Sequence, residues 1–350
     1  MKPSAATLLA WYAQVRRDLP WRRTKDAWAI WVSEIMLQQT RVEAVRERFD
    51  AFLARYGEPR AFALASDDEV LSAWRGLGYY RRARALHEAA RIVVDDHDGE
   101  VPRDLDALER LPGIGAYTVG AIASIAFDIA APAIDGNVER VLARVLGIEA
   151  AIKSQPARAT MRAAIAELHE AGAPGDVNQA LMELGATTCL PRAPRCELCP
   201  WHDACMAKRE GKIDDLPQTK PREAGIAVET EVLVARDEDR VLVHRRPAGT
   251  VNAGQYCLPS LGIPRPLATE LGEHLRATLS LDAAIGPRRA SFRHAITKWR
   301  MEVHVREALQ APRSDSLLAD HDLRYVSESD ASIPTTTIVR KALRALVKLR

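Results

Sequence analysis

The chain has 350 residues, 47% of them hydrophobic and 27% charged, a balance that fits a globular protein of two domains and excludes a disordered or low-complexity one. Its 49 basic and 47 acidic residues leave a net charge of +2, so a polyanionic partner has to be met by local patches and not by a basic whole. The longest apolar run, Tyr117 to Ile134, contains Asp128 and predicts a buried helix instead of a membrane span; Met1-Lys2-Pro3-Ser4 opens no signal-peptide core, and a reducing cytoplasm is expected.

From residue 4 to about 206 the pattern is helical. Apolar positions recur at three and four: Leu8, Leu9, Tyr12 and Val15; Trp31, Ile35, Val42 and Val45; Leu64, Val70, Leu71 and Trp74. Ser66-Asp67-Asp68-Glu69 has the form of a capping box, and Pro20, Pro59, Pro102, Pro132 and Pro174 punctuate the segments. Residues 1–206 are therefore expected as an all-α domain. Residues 207–226, charged and containing Pro217 and Pro221, predict a linker. Beyond it, Glu231 to Arg236 and Arg240 to His244 predict a β-hairpin, Phe292 to Val305 contains strand-like stretches, and Ile338 to Leu349 closes the chain with a basic amphipathic helix. Residues 227–350 are expected as an α+β domain. Two basic clusters stand out, Arg16, Arg17, Arg22, Arg23 and Lys25, then Arg75, Arg81, Arg82, Arg84 and Arg91; each is a candidate contact surface or simply a solvated helix face.

Four of the five cysteines fall within seventeen residues, as Cys189-x6-Cys196-x2-Cys199-x5-Cys205. In a reducing compartment such a set ligates metal, and four thiolates suit either tetrahedral zinc or an iron–sulfur cube. Zinc modules more often pair their ligands as two Cys-x2-Cys units. All four thiolates would be used as ligands, which makes the site a structural clamp, orienting Arg192, Arg195 or Lys208 towards an anion.

Leu111-Pro112-Gly113-Ile114-Gly115-Ala116-Tyr117-Thr118 has the form of a helix–hairpin–helix. Gly113 and Gly115 permit a tight turn and close backbone approach, and the amides at the next helix start can hold a phosphate oxygen of DNA. Upstream, Glu34 sits among apolar neighbours in Trp31-Val32-Ser33-Glu34-Ile35-Met36-Leu37-Gln38-Gln39-Thr40, where burial would raise its pKa as a general acid requires. Asp135 in Ile134-Asp135-Gly136-Asn137 reads as a helix N-cap that can also face a reaction centre. Two such carboxylates suit cleavage of a glycosidic bond, one giving a proton and one supporting the sugar cation.

The cysteine spacing resembles the [4Fe–4S] loop of the endonuclease III superfamily of DNA glycosylases. Ser33-Glu-Ile-Met-Leu-Gln-Gln-Thr40, Trp74-Arg-Gly-Leu-Gly-Tyr-Tyr-Arg-Arg-Ala-Arg84, the hairpin with Tyr117, Asp135-Gly-Asn-Val138 and Asn178-Gln-Ala-Leu-Met-Glu-Leu-Gly185 together resemble the MutY family of adenine glycosylases, in order from about Trp21 to Cys205. The resemblance implies a monofunctional base-excision repair enzyme that removes adenine mispaired with 8-oxoguanine. It implies a [4Fe–4S] cluster on Cys189, Cys196, Cys199 and Cys205 in a loop 189–205, double-stranded DNA carrying that mismatch as partner, a monomeric state and a nucleoid-associated location. Glu34 would protonate adenine and then activate water, and Asp135 would stabilise the oxocarbenium ion, with Tyr117 and Asn137 positioning them. Arg22, Leu37 and Gln179 would line the adenine pocket; Gln39, Thr40, Leu77 and Tyr79 would meet the 8-oxoguanine strand, Tyr79 as an inserted wedge. Where bifunctional members of the superfamily carry a catalytic lysine, this chain has Tyr117, which cannot form a Schiff base. A related glycosylase with another target base or opposite-base preference is the alternative.

The same family carries a MutT-like (Nudix) C-terminal domain, and Arg245-Arg246-Pro247, Gly254-Gln-Tyr-Cys-Leu-Pro259 and Phe292-Arg293-His294 fit it. The Nudix box of metal-binding carboxylates is absent from the sequence, so a recognition module without nucleotide hydrolysis is expected. Where many members have Phe-Ser-His, this chain has Ile296-Thr297-Lys298: Thr297 keeps a hydroxyl for the modified base, and Lys298 brings a point charge suited to phosphate.

Overall fold

In the computed structural model, residues 2–218, 224–247, 249–250, 252–262, 270–312, 322–328, 330 and 333–348 are described. They divide into two units. Met1–Ala65, Gly76–Gly78 and Arg82–Pro221 make the first; Ser66–Arg75, Tyr79–Arg81 and Arg222–Arg350 make the second.

The first unit is all-helical among its described residues, as the apolar spacing predicts. Its elements are α1 (Ala5–Val15), α2 (Ala27–Leu37), α3 (Val42–Arg55), α4 (Pro59–Ala63), then, after α5 (Asp67–Ala73), which clusters with the second unit, α6 (Arg81–Asp96), α7 (Leu105–Arg110), α8 (Ala116–Phe127), α9 (Gly136–Leu146), α10 (Gln155–Glu170), α11 (Pro174–Thr187) and α12 (Met206–Arg209). Short polar residues set the starts. Asp26 caps α2 through the Ala29 N–H, Asp104 caps α7, Ser154 caps α10, and Ser66 with Glu69 forms the expected capping box of α5. Pro59 and Pro174 occupy first-turn positions, where a missing N–H costs nothing.

Every residue of α2 from Trp28 to Met36 is buried, because α3 and α8 pack on it. Trp28 donates its indole N–H to the Tyr56 carbonyl at 2.8 Å and meets Phe62 at 5.9 Å between ring centres. Such contacts hold a polar residue of α2 in place against surrounding hydrocarbon. α8 in turn packs on α11, and α11 on α9. Gly185 is where α11 crosses α9 most closely, since a Cβ there would stand 2.6 Å from the Asn137 Cβ.

Residues 206–218 depart from the expected linker. Ala207 and Leu216 are buried in the helical core, and the Gln218 carbonyl accepts from the Ile152 N–H, so apolar side chains tie this stretch to the first unit in spite of its charges. Residues 219–223 of the expected linker lie outside the described residues.

The second unit is α+β. Its strands are β1 (Ile226–Val234), β2 (Arg236–Asp237), β3 (Arg240–Arg245), β4 (Tyr256–Cys257), β5 (Ile285–Ile296), β6 (Trp299–Ala308) and β7 (Leu323–Ser327), with helices α13 (Leu271–Leu279) and α14 (Thr337–Val347). One sheet runs β1-β6-β5, with β1 parallel to β6; the other joins β2, β3, β4 and β7. The hairpin expected from Glu231 to His244 is therefore shorter than predicted. Only Arg236–Asp237 pair with Arg240–Val241. β1 pairs with Trp299 to Glu307 instead, because its apolar residues Val232 and Val234 are buried beside Met301, Val303 and Val305. α14 appears where the amphipathic pattern placed it; Leu349 lies outside the described residues. No helix among the described residues is long and apolar enough to cross a membrane.

Candidate active site

The first unit contains a cavity of about 1070 Å³, at the upper end of ligand-pocket sizes. Its lining brings together Arg22, Glu34, Leu37, Gln39, Thr40, Gly115, Tyr117, Asp135, Asn137 and Gln179, ten of the expected site residues drawn from five segments of the sequence.

Glu34 sits in the third turn of α2 and is only 5% exposed. Tyr117, in the first turn of α8, donates its hydroxyl to Glu34 Oε2 at 2.6 Å and lies 3.2 Å from the Met182 sulfur. Burial pushes the Glu34 carboxyl up to about 7; the Tyr117 hydrogen bond and the Arg22 charge oppose that rise, and the charge of Asp135 adds to it. The Tyr117 hydroxyl is itself held well above its usual range by burial and by Glu34.

Asp135 is the N-cap of α9, and one oxygen does the capping: Oδ1 accepts from the Asn137 and Val138 N–H groups at 2.9 and 2.8 Å. Oδ2 accepts only the Asn137 side-chain amide, at 3.0 Å. Burial raises its pKa while these bonds and Arg140 hold it down. The helix N-terminus favours the anion at this place. The two carboxyl groups thus differ in surroundings, hydrocarbon and one hydroxyl for Glu34, three N–H donors for Asp135. Such a difference in surroundings sets the acidities of two neighbouring carboxyl groups apart.

The hairpin has the predicted form. Gly113 adopts φ +79°, and Gly115, the N-cap of α8, has open space where a Cβ would lie. Arg82 is a buried residue the sequence reading placed only in a basic cluster. Its guanidinium donates to the carbonyls of Ile35 and Met36 at the end of α2, to those of Leu77 and Gly78 at 3.1 Å, and to the Thr40 hydroxyl at 3.0 Å. It pins the end of α2 to the two turns expected to meet the opposite strand. The first cluster is likewise engaged internally: Arg17 and Arg22 bind Glu183, Arg23 binds Asp18, and Lys25 donates to the Ile125 carbonyl.

The Leu77 side chain is buried at 4% exposure, and its carbonyl accepts from Thr40 and Arg82. Tyr79 is 45% exposed, as an inserting wedge must be. Gln39, Tyr79 and Thr297 have left-handed backbones, at φ 56°, 45° and 51°, as do seven other non-glycine residues among those described. Thr297 and Lys298 form the two-residue turn between β5 and β6, where Ile296 pairs with Trp299. The Thr297 hydroxyl donates to the Ile296 carbonyl at 2.7 Å, and Lys298 stands over the Trp299 ring at 5.2 Å.

Cys189, Cys196, Cys199 and Cys205 surround one small cavity, and none of them is joined in a disulfide. Two arginines of α9 hold their loop. Arg144 donates to the carbonyls of Leu190 at 2.7 Å and Leu216 at 2.9 Å; Arg140 donates to those of Cys189 at 2.8 Å and Gly185 at 2.7 Å, and to Asn137 Oδ1 at 2.9 Å. Among the described residues no group of three His, Cys, Asp or Glu side chains has the spacing for a single metal ion; a cubane asks for wider-set sulfurs than one zinc does. Arg192 and Arg195 are exposed, while Lys208 turns to His202 and Glu197. Cys257 lies apart, buried 3.1 Å from His244 Nε2.

Residues 32–167 match the HhH-GPD superfamily of base excision DNA repair proteins. The chain is 44% identical to a human adenine DNA glycosylase over 219 residues, 60% of this chain and 40% of that protein. It is 46% identical to the adenine DNA glycosylase of Mycolicibacterium smegmatis over 201 residues, 57% of this chain and 68% of that one. The structure is similar to that of a thermostable thymine-DNA glycosylase, with a TM-score of 0.54 and 32% identity over 59% of this chain and 95% of that one. The match spans about two fifths of the human, rat and mouse relatives. At 46% identity over two thirds of the Mycolicibacterium protein, the chain belongs to the adenine DNA glycosylase family.

Proposed function

We propose that the protein hydrolyses the N-glycosidic bond of adenine mispaired with 8-oxoguanine in duplex DNA and leaves the backbone uncut. The observation that carries this reading is Glu34: a buried carboxyl held near pH 7, hydrogen-bonded to Tyr117, in a cavity that also contains the capped carboxylate of Asp135. The adenine turns out of the stack into the cavity, at a cost on the order of a few kcal/mol. Glu34 gives its proton to the base as the C1′–N9 bond breaks, and Asp135 supports the oxocarbenium ion through Oδ2. Water then adds at C1′ and returns a proton to Glu34, which leaves an abasic sugar and free adenine. Tyr117 offers no amine for a Schiff base, so no strand cleavage accompanies base loss. Tyr79 and the Thr297 turn are assigned to the 8-oxoguanine side, and the amides at the start of α8 to a backbone phosphate.

The four cysteines suit a [4Fe–4S] cluster, which when bound would cross-link residues 189–205 and fix their loop. Arg140 and Arg144 already hold that loop by its carbonyls, so a cluster would complete a scaffold that protein groups define. Iron and sulfide at about four each per chain, lost on replacing Cys199 by serine, would support it; a single bound zinc would not.

The function is tested with duplexes carrying adenine opposite 8-oxoguanine, guanine, cytosine or thymine, and thymine opposite guanine, each followed by alkali. Strand breaks at adenine opposite 8-oxoguanine, only after alkali, are expected. Breaks at thymine alone would favour the activity named for the structural relative, and no base release from any duplex would remove the enzymatic reading.

A further inference from the structure

α11 turns Gln179, Met182, Glu183 and Ala186 toward the cavity, the three-and-four spacing of one helix face. Gln179 belongs to the expected adenine pocket; Glu183 was assigned nothing. Yet its carboxylate is the most enclosed acidic group of the site, at 0% exposure. Oε1 accepts from the Arg17 N–H at 3.2 Å and from Arg17 Nε at 2.8 Å. Oε2 accepts from Arg17 Nη2 at 2.9 Å and Arg22 Nη2 at 2.7 Å. Arg22 also donates to the Arg17 carbonyl at 3.2 Å, and its guanidinium stands 5.6 Å from the centre of the Tyr12 ring.

A solvent-exposed ion pair of this kind would contribute little. This one is a dry carboxylate shared by two guanidinium groups, and removing it would leave two cations in the wall with no counter-charge. The electrostatic consequence reaches the reaction centre. Arg22 faces Glu34, and a positive charge there favours the ionised carboxylate, the wrong state for a proton donor. Glu183 is the carboxylate paired with that charge, at 2.7 Å.

We propose that Glu183 is a positioning residue of the adenine site, which fixes Arg17 and Arg22 in the cavity wall and offsets the charge of Arg22 so that Glu34 keeps its proton. The use made of that proton rests on the glycosylase reading; the effect on Glu34 does not. Glu34 is faced by Tyr117 from α8, Asp135 from the start of α9 and Arg22. Glu183 is faced by Arg17 and Arg22, with Tyr12 of α1 beside them, Glu43 of α3 acting on Arg17 and Asp176 of α11 acting on Tyr12.

The test reads Glu34 directly, by carbon-13 NMR titration of the glutamate-labelled protein, with Glu34→Gln to assign the resonance. Glu183→Gln is expected to lower the Glu34 midpoint, since it leaves the charge of Arg22 unbalanced beside that carboxyl. Glu183→Asp, which keeps the charge, is expected to return it near the wild-type value. The alkaline limb of adenine release in single-turnover assays should move in the same order. An unmoved midpoint in Glu183→Gln, with release slowed equally at every pH, would overturn the proposal and leave Glu183 a brace. Should that variant not fold, the Arg22→Gln/Glu183→Gln protein decides: loss of both charges should leave the midpoint within about 0.3 of wild type, and a larger shift refutes the offset. If the wild type releases no adenine, the enzymatic reading fails, but the titration still judges Glu183.

Discussion

Replacing Glu34 by glutamine should stabilise the helical unit in a pH-dependent way. The carboxyl titrates near 7 in the folded chain, against an ordinary value of 4.5. Because the folded pKa is the higher, the native state holds the proton that the unfolded chain gives up. Stability from this group is complete below about pH 4.5 and is lost as pH rises to 7; above that, nothing more changes. The difference of 2.5 units corresponds to about 3 kcal/mol. Glutamine does not titrate, keeps the shape, and can still accept from the Tyr117 hydroxyl. The gain of Glu34→Gln over wild type should therefore grow by about 3 kcal/mol between pH 4.5 and 8 and then level off. Urea unfolding of the helical unit, followed by far-ultraviolet circular dichroism across that range, measures it. A gain independent of pH would refute the argument that burial holds this carboxyl protonated. The same variant should release no adenine, a trade of activity for stability at one side chain.

Other consequences are as direct. Tyr117→Phe removes the donor that holds the Glu34 pKa down, so the alkaline limb of the pH–rate profile should move to higher pH; movement to lower pH would contradict the geometry. Gly185→Ala drives a methyl group against Asn137, 2.6 Å from its Cβ, and should cost about 2 kcal/mol in urea unfolding together with most of the base release; wild-type rates would show that α9 can shift freely. Thr297→Gly relieves a left-handed threonine at φ 51° and should stabilise the second unit by about 1 kcal/mol while narrowing the preference for 8-oxoguanine over guanine. An unchanged preference would remove Thr297 from recognition.

The candidate constellation was legible because its members sit in short, dense motifs: Glu34 in an apolar helix segment, Asp135 at an N-cap position, the glycines of the hairpin. Local spacing decides those features, and sequence records local spacing. Glu183 was not legible, since its meaning comes from Arg17 and Arg22, more than 160 positions away. The early arginines looked like a surface patch for the same reason: sequence shows charge but not the carboxylate or carbonyl that a fold brings to it. The shape of the second unit was read only in part. A strand followed by a turn and another strand suggests a hairpin, and only burial of Val232 and Val234 against β6 shows that β1 has a different neighbour. The burial of Leu77 was not legible either, because a motif gives the residue while packing decides which of its atoms faces out.

The internal engagement of those arginines bears on how the protein would hold DNA in changing ionic conditions. Each cation placed on a phosphate displaces condensed counterions, and affinity falls with salt in proportion to the number of such contacts. Arg17, Arg22, Arg23 and Arg82 bind the protein's own carboxylates and carbonyls, and in the proposed complex the hairpin would meet a phosphate with neutral amides. Contacts of that kind would release few ions, so the salt dependence of binding would be set by cations that stay exposed, such as Arg192 and Arg195.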